Sequence, residues 1–208
     1  MIDAYIAGGT NAQRVTIALE ETGLAYQVKK LNFQAGDMKK PEYLKLNPTG
    51  RMPTIVDSDP KGGDAKGGPF VLTQTVAIML YCADKAGKLL GSDAQSKARV
   101  HEWLMFQATD LSPGMGFAFM LAERAEPKIP QARPLIKERI LGLYKFMDDQ
   151  LGHSKWLAGD QFSLADVLAF PMAETFEHDK FADFKHITRW RKDVAARPAV
   201  ERGMKAAA

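Results

Sequence analysis

Cysteine is almost missing from this chain: of 208 residues only Cys82 is one. A single thiol rules out an internal disulfide framework and fits a reducing compartment, so a cytoplasmic protein is expected. Cys82 follows Ala77, Ile78 and Tyr81 at helical spacing and reads as a buried packing residue. Histidine is scarce as well, and His101, His153, His178 and His186 show no metal-ligand spacing, so no metal is expected. No apolar run reaches the length that spans a bilayer, and no basic region followed by an apolar stretch opens the chain, so neither a membrane partner nor a secretory leader is expected. An excess of one charge is lacking too. Lys and Arg number 28 against 25 Asp and Glu, a net charge of +3, which argues against nucleic acid as a partner. The short basic runs Lys39-Lys40 and Arg189-Trp190-Arg191-Lys192 read as solvated faces. No internal repeat is evident.

What is present begins with Asn47-Pro48-Thr49-Gly50-Arg51-Met52-Pro53-Thr54-Ile55-Val56. A Pro- and Gly-rich loop runs directly into a β-branched segment. Proline cannot donate to a sheet ladder, so Pro53 belongs at the first position of the strand. An X-Pro bond at such a junction tolerates the cis form. A cis bond would turn the Met52 N–H and C=O outward, free to pair with an extended peptide-like ligand as a very short added strand. Phe70-Val71-Leu72 supplies the other arm of a hairpin, across a long turn-rich connection at residues 57–69 with Gly62-Gly63 and Gly67-Gly68. Thr73-Gln74-Thr75 then precedes the apolar helix pattern beginning Val76-Ala77-Ile78, with Thr73 or Thr75 as its expected cap. The open, positive end of a helix attracts carboxylates, and Gln74 and Thr75 add side-chain donors there.

The first fifty residues fit the same plan. Residues 2–7 form a short apolar strand, and Gly8-Gly9-Thr10-Asn11 a turn. Val15, Ile17, Ala18 and Leu19 make a helix stripe that Gly23 ends, residues 26–31 a second strand, and residues 41–46 a short helix. The order βαβ, helix, ββα is that of a thioredoxin-like domain. From about Ser92 strand signals vanish. Helices are expected near 93–110, 131–150, 164–178 and 184–197, giving an all-α C-terminal helical bundle. The expected domains are therefore 1–83 and 92–208, joined by a linker at 84–91. In Gly159-Asp160-Gln161-Phe162-Ser163-Leu164-Ala165-Asp166, Ser163 is a good N-cap. Asp166 can return a hydrogen bond to the cap backbone, and Phe162 with Val167 can staple the start of the helix.

Together the loop ending Met52-Pro53, Leu72-Thr73-Gln74-Thr75, and the capping motif at Ser163–Asp166 resemble the glutathione S-transferase superfamily over almost the whole chain. The start of the chain is similar to the bacterial Nu-class and the Ure2p-like members. The resemblance implies a thioredoxin-like N-terminal domain that binds glutathione as co-substrate, a helical C-terminal domain, and a homodimer. By that likeness Met52, with Pro53 behind it, pairs with the cysteinyl part of glutathione. Gln74 and Thr75 hold its γ-glutamyl end, and Arg51 joins them at the site. Thr10 and Asn11 meet the sulfur. In such relatives the threonine stands one position earlier, followed by Pro-Asn, whereas this chain has Gly9-Thr10-Asn11; Tyr5 is the competing thiol-activating residue. A donor to sulfur favours thiolate, which is the nucleophile. The first loop has no cysteine, against the cysteine chemistry of the Omega and Beta classes. Trp103, Phe106, Met115 and Phe117, and with them Phe119, are the residues expected to line an apolar cleft for the electrophile. Three functions fit: glutathione transfer to an apolar electrophile, glutathione-dependent reduction of disulfides or peroxides at the same site, and a non-catalytic binding or scaffold role.

Overall fold

The computed structural model describes residues 1–60, 68–175 and 183–208. Most of the expected turn-rich connection at 57–69 and the end of the helix expected at 164–178, with His178, therefore lie outside the described residues. The chain forms two compact units, Met1–Leu90 with Val194–Ala208, and Gly91–Asp193.

The first unit is built on a four-stranded sheet in the order β2-β1-β3-β4, with β1 at Ile2–Ile6, β2 at Tyr26–Lys30, β3 at Thr54–Asp57 and β4 at Phe70–Thr73. β1 and β2 run parallel through the crossover helix α1 (Gly9–Thr22), while β3 is antiparallel to both β1 and β4. Burial along β1 alternates, with Ile2, Ala4 and Ile6 inside, as a pleated strand half covered by helices requires. A short helix α2 (Pro41–Leu46) precedes β3, and α3 (Thr75–Ala86) follows β4. Ile2, Ala4 and Ile55 of the sheet pack with Val15 and Leu19 of α1 and with Ile78 and Cys82 of α3. Gly23, at φ 74, takes the left-handed conformation that closes α1 and accounts for glycine there.

In the second unit α4 (Ala94–Met105) starts at Asp93, whose side chain accepts from the Gln95 and Ser96 amides in a full capping box. The chain continues through a π-helical turn at Phe106–Leu111 into α5 (Ser112–Phe119) and a second π turn at Met120–Arg124. The sequence pattern suggests breakers around Pro113 and Gly114, yet this stretch is helical. Pro113 falls in the first turn after the wider π segment, where its missing N–H breaks no regular α-helical ladder. α6 (Ala132–His153), α7 (Leu164–Thr175) and α8 (Lys185–Ala195) complete the bundle.

Asp166 ties that unit together. Its carboxylate accepts from the Ser163 amide (3.0 Å), the Leu157 amide (3.0 Å) and the Trp190 indole (2.8 Å), while Ser163 Oγ accepts from the Ala165 amide (3.3 Å). This is the reciprocal cap that the sequence predicts, extended to two further elements. Phe162 packs edge-on against Trp156. Asp148 of α6 accepts from the amides of His186 and Ile187 and so caps α8. A last helix, α9 (Pro198–Ala206), lies beyond the end of the helix expected at 184–197. It opens on a proline at its first position and packs on α1, within the first unit.

Candidate active site

Register alone gathers the expected site residues of the first unit. Tyr5 of β1 lies opposite Thr54 of β3, Thr54 lies opposite Thr73 of β4, and Ile6 is level with Lys30 of β2. The segment leaving β1, the one entering β3 (Arg51-Met52-Pro53) and the one leaving β4 (Gln74-Thr75) therefore meet at one end of the sheet; Gly8 to Asn11, expected as a turn, are the N-cap and first turn of α1, and Thr75 is the first residue of α3. The N-termini of α1 and α3 open at that same end.

The Met52–Pro53 peptide is cis, as the sequence suggests. Among the described residues the Met52 N–H and carbonyl make no hydrogen bond. The preceding carbonyl, that of Arg51, is pinned. It accepts from the Tyr43 hydroxyl (2.5 Å) and from Asn47 Nδ2 (2.7 Å); Nδ2 also donates to Thr54 Oγ1 (3.2 Å), and that hydroxyl donates to the Tyr43 oxygen (2.9 Å), whose own proton goes to the carbonyl. Tyr43, Asn47 and Thr54 are all buried. The Arg51–Met52 peptide is trans, so fixing the carbonyl on one side fixes the Met52 N–H on the other, away from Tyr43 and Asn47. Burial holds the Tyr43 hydroxyl above its ordinary pKa, keeping it a donor. The sequence reading gave Tyr43 and Asn47 no role. The signal was there in part, since Asn47 opens the Pro-Gly loop and Tyr43 stands one helical turn before it.

Gln74 is the residue before α3, at φ 72 and ψ 118. A side chain other than glycine in that region costs about 1–3 kcal/mol, and such strain collects at binding sites. No side chain caps α3, contrary to the expectation for Thr73 or Thr75, so the first N–H groups of the helix stay open. Gln74 is exposed and Thr75 half-buried. Lys39 brings its ammonium beside Gly50, next to the exposed Arg51, which places two cations at this end of the unit.

In the first loop Gly8 and Gly9 both have positive φ, at 76 and 79. A side chain at Gly9 would meet nothing within 4 Å, so the backbone there faces open space. Thr10 is half-buried and Asn11 exposed. Asn11 Oδ1 accepts from Arg14 Nη1 at 2.8 Å. With its oxygen held by the largely buried Arg14, Asn11 leaves its amide N–H groups to point outward. The Tyr5 ring packs against that of Tyr43, 6.2 Å between centroids. Cys82 is fully buried and its thiol is pushed up to about 12, first by burial and then by Asp57, so it is inert at neutral pH.

The residues expected to meet the electrophile all lie in the second unit. Trp103 is only 3% exposed and is packed by Phe106 and Phe146 at 5.2 and 5.5 Å, so it offers a ligand almost nothing to touch. Met115 lines a groove of about 460 Å³ with Ala118, Phe119, Ile136 and Ile140, edged by Arg133 and Lys137. Phe117 is 58% exposed and outside that groove. Among the described residues no group of histidine, cysteine and carboxylate side chains is arranged to hold a metal, and no helix is long and apolar enough to cross a membrane.

Comparison with known proteins bears on these features. Residues 9–85 match the glutathione S-transferase N-terminal domain family, and residues 111–198 match its C-terminal domain family. The disulfide-bond oxidoreductase YfcG of Escherichia coli is 31% identical over 201 residues, covering 96% of this chain and 92% of the relative. A glutathione transferase from Burkholderia graminis, solved with two glutathione molecules per subunit, superposes with a TM-score of 0.86 at 32% identity, over 98% of this chain and 87% of that one. The transferase URE2P6 of Phanerochaete chrysosporium, in complex with oxidized glutathione, gives a TM-score of 0.85 at 28% identity, over 98% and 94%.

Proposed function

The chain belongs to the glutathione S-transferase family, and we propose that it binds glutathione at the open end of its sheet and presents the thiolate to an apolar electrophile. The observation that carries this is the Met52 amide, unpaired and oriented through the Arg51 carbonyl, with the uncapped mouth of α3 at the same end of the sheet. Glutathione is an extended tripeptide with a carboxylate at each end. Its cysteinyl N–H and C=O match the Met52 carbonyl and amide, as in addition of a strand. The γ-glutamyl carboxylate then falls to Thr75 and the first amides of α3, with Gln74 beside it. Lys39 and Arg51 are assigned the glycyl carboxylate.

Thr10 and Asn11 are assigned to the sulfur. A hydroxyl and an amide N–H donating to it favour the charged form and lower the thiol pKa. The thiolate attacks the carbon bearing a leaving group. A C–S bond forms, the leaving group departs with its electron pair, and the thiol proton has already gone to water. Holding both reactants contributes the rest of the acceleration through proximity. Phe106, Met115 and Phe117 remain the acceptor-side candidates, while the burial of Trp103 argues for a packing role.

Disulfide reduction at the same site is the second reading, favoured by the disulfide-bond oxidoreductase among the relatives and by oxidized glutathione in the Phanerochaete structure. There the glutathione thiolate attacks one sulfur of a disulfide and expels the other as thiolate, giving a mixed disulfide that a second glutathione resolves. A homodimer is proposed from the frequency of two-fold pairs among soluble oligomers and from the family, and a cytoplasmic location from the lone cysteine. The test is turnover of chlorodinitrobenzene against that of hydroxyethyl disulfide, each with glutathione, in wild type and in Thr10→Ala and Asn11→Ala. Loss of both activities in the variants with glutathione affinity retained supports the shared thiolate. Wild-type protein that binds glutathione and turns over neither probe would leave the scaffold role instead.

A further inference from the structure

α9 runs antiparallel along α1 and ends beside the first loop. Near its start the Arg197 guanidinium grips the Glu21 carboxylate with two bonds, at 2.6 and 2.7 Å. In the middle Gly203 meets Thr16 and Ile17. At its end Ala207 packs against Ile6 of β1 and Ala12 of α1, the residues that flank the segment with Thr10 and Asn11. The Ala207 carbonyl lies 3.6 Å from where a side chain at Gly8 would begin.

The middle contact is unusually close. A Cβ on Gly203 would fall 2.6 Å from Ile17 Cα and 2.7 Å from its nitrogen, so only glycine lets the helices approach this far. The Thr16 side chain is fully buried, and its hydroxyl has three acceptors within reach. The carbonyls of Ala12 and Gln13 are each at 3.1 Å, within its own helix, and the Gly203 carbonyl is at 2.6 Å. One proton serves one acceptor well, and the shortest contact is the one between helices. Buried donors of this kind fix a geometry because any displacement leaves them unpaired.

We propose that α9 is a strut whose Thr16–Gly203 bond sets the position of the first turn of α1, making Thr16 a positioning residue for Thr10 and Asn11. The inference rests on the glutathione site proposed above. Thr10 and Asn11 lie in the first turn of α1, and the residues ahead of them, Gly8 and Gly9, carry no side chains that could anchor the turn to β1. The placement of that turn is therefore inherited from the body of α1, braced by Ala207 and the Thr16 bond.

The experiment uses the full chain with glutathione as the probe. Gly203→Ala is the direct perturbation, but its clash with backbone endangers folding. Thr16→Val, which keeps the shape and removes the donor, is the working variant, with Thr16→Ser as the rescue. Four quantities are read: the melting temperature, glutathione affinity by calorimetry, the pKa of the bound thiol from its ultraviolet thiolate band, and kcat against KM with chlorodinitrobenzene. Expected for Thr16→Val is a folded protein whose glutathione Kd stays within about twofold, whose bound thiol titrates higher by half a unit or more, and whose kcat falls about three- to tenfold; Thr16→Ser restores both. A folded Thr16→Val with unchanged thiol pKa and kcat overturns the strut. So does a loss of affinity that accounts for all of the loss in rate. Wild-type protein with no affinity for glutathione would instead overturn the site itself, which distinguishes the two failures.

Discussion

Removing the two side chains that hold the Arg51 carbonyl should cost more together than the sum of their separate effects. Tyr43→Phe deletes the donor 2.5 Å from that carbonyl and the acceptor 2.9 Å from Thr54 Oγ1, but the carbonyl and Oγ1 both keep Asn47 Nδ2. The expected loss of stability is about 1 kcal/mol, that of one net buried hydrogen bond. Asn47→Ala deletes the Nδ2 donor to the carbonyl and to Thr54 Oγ1, and also the bonds that Asn47 Oδ1 accepts from the Thr49 amide and hydroxyl. Thr49 is exposed, so water takes over there, and about 2 kcal/mol is expected. The double variant strips both donors from the Arg51 carbonyl, and both the donor and the acceptor from the fully buried Thr54 hydroxyl. An extra ~1–2 kcal/mol should appear as coupling, because an orphaned buried polar group costs more than a lost bond. Urea unfolding of the four proteins measures it. Glutathione calorimetry on the same four should show affinity within about threefold for Tyr43→Phe and a loss of about tenfold or more for the double variant, as the Met52 amide becomes free to swing. Additivity within about 0.5 kcal/mol, or full affinity in the double variant, would refute the claim that these residues aim Met52.

Gln74→Gly removes a side chain from a backbone conformation that only glycine adopts without strain; it should stabilise the fold by about 1 kcal/mol while weakening glutathione binding severalfold, read by melting and by calorimetry. Burial raises Asp166 from 3.8 to about 6 despite the hydrogen bonds it accepts from Leu157, Trp190 and Ser163. The folded protein thus keeps that proton to higher pH than the unfolded chain, and the stability this gives is whole below pH 3.8 and lost as pH rises through 6. Wild type should therefore lose on the order of 3 kcal/mol relative to Asp166→Asn between pH 4 and pH 7 in urea titrations, and a gain over that range would contradict the assignment. Cys82→Ala should keep its turnover, and iodoacetamide should not inactivate the wild type at neutral pH, since the buried thiol is held at about 12.

Local chemistry was legible where one residue type does one job. Pro53 marked the strand entry, Gly23 the end of α1, and Ser163 with Asp166 the start of α7, each placed by backbone rules that act over a few residues. Registration of the sheet then brought Met52, Gln74 and Thr10 to one end, which the element order had implied. What escaped the sequence depends on approach between distant segments. Thr16 and Gly203 are 187 positions apart, and nothing in either neighbourhood announces their bond. Trp103, expected in the cleft by resemblance, is packed by Phe106 and by Phe146, a partner 43 residues away that helical spacing alone does not identify. The helicity of residues 112–119 was hidden because Pro113 and Gly114 signal a break, and only the preceding π turn makes room for them.

The pKa of the glutathione thiol bound to wild-type protein, followed by its ultraviolet thiolate band and compared with Thr10→Ala and Asn11→Ala, tests the site most directly. The account predicts a wild-type value at least one unit below the ~8.5 of an unperturbed cysteine, rising in one or both variants while glutathione stays bound. A bound thiol that titrates at or above the free value, unchanged by either substitution, would contradict it.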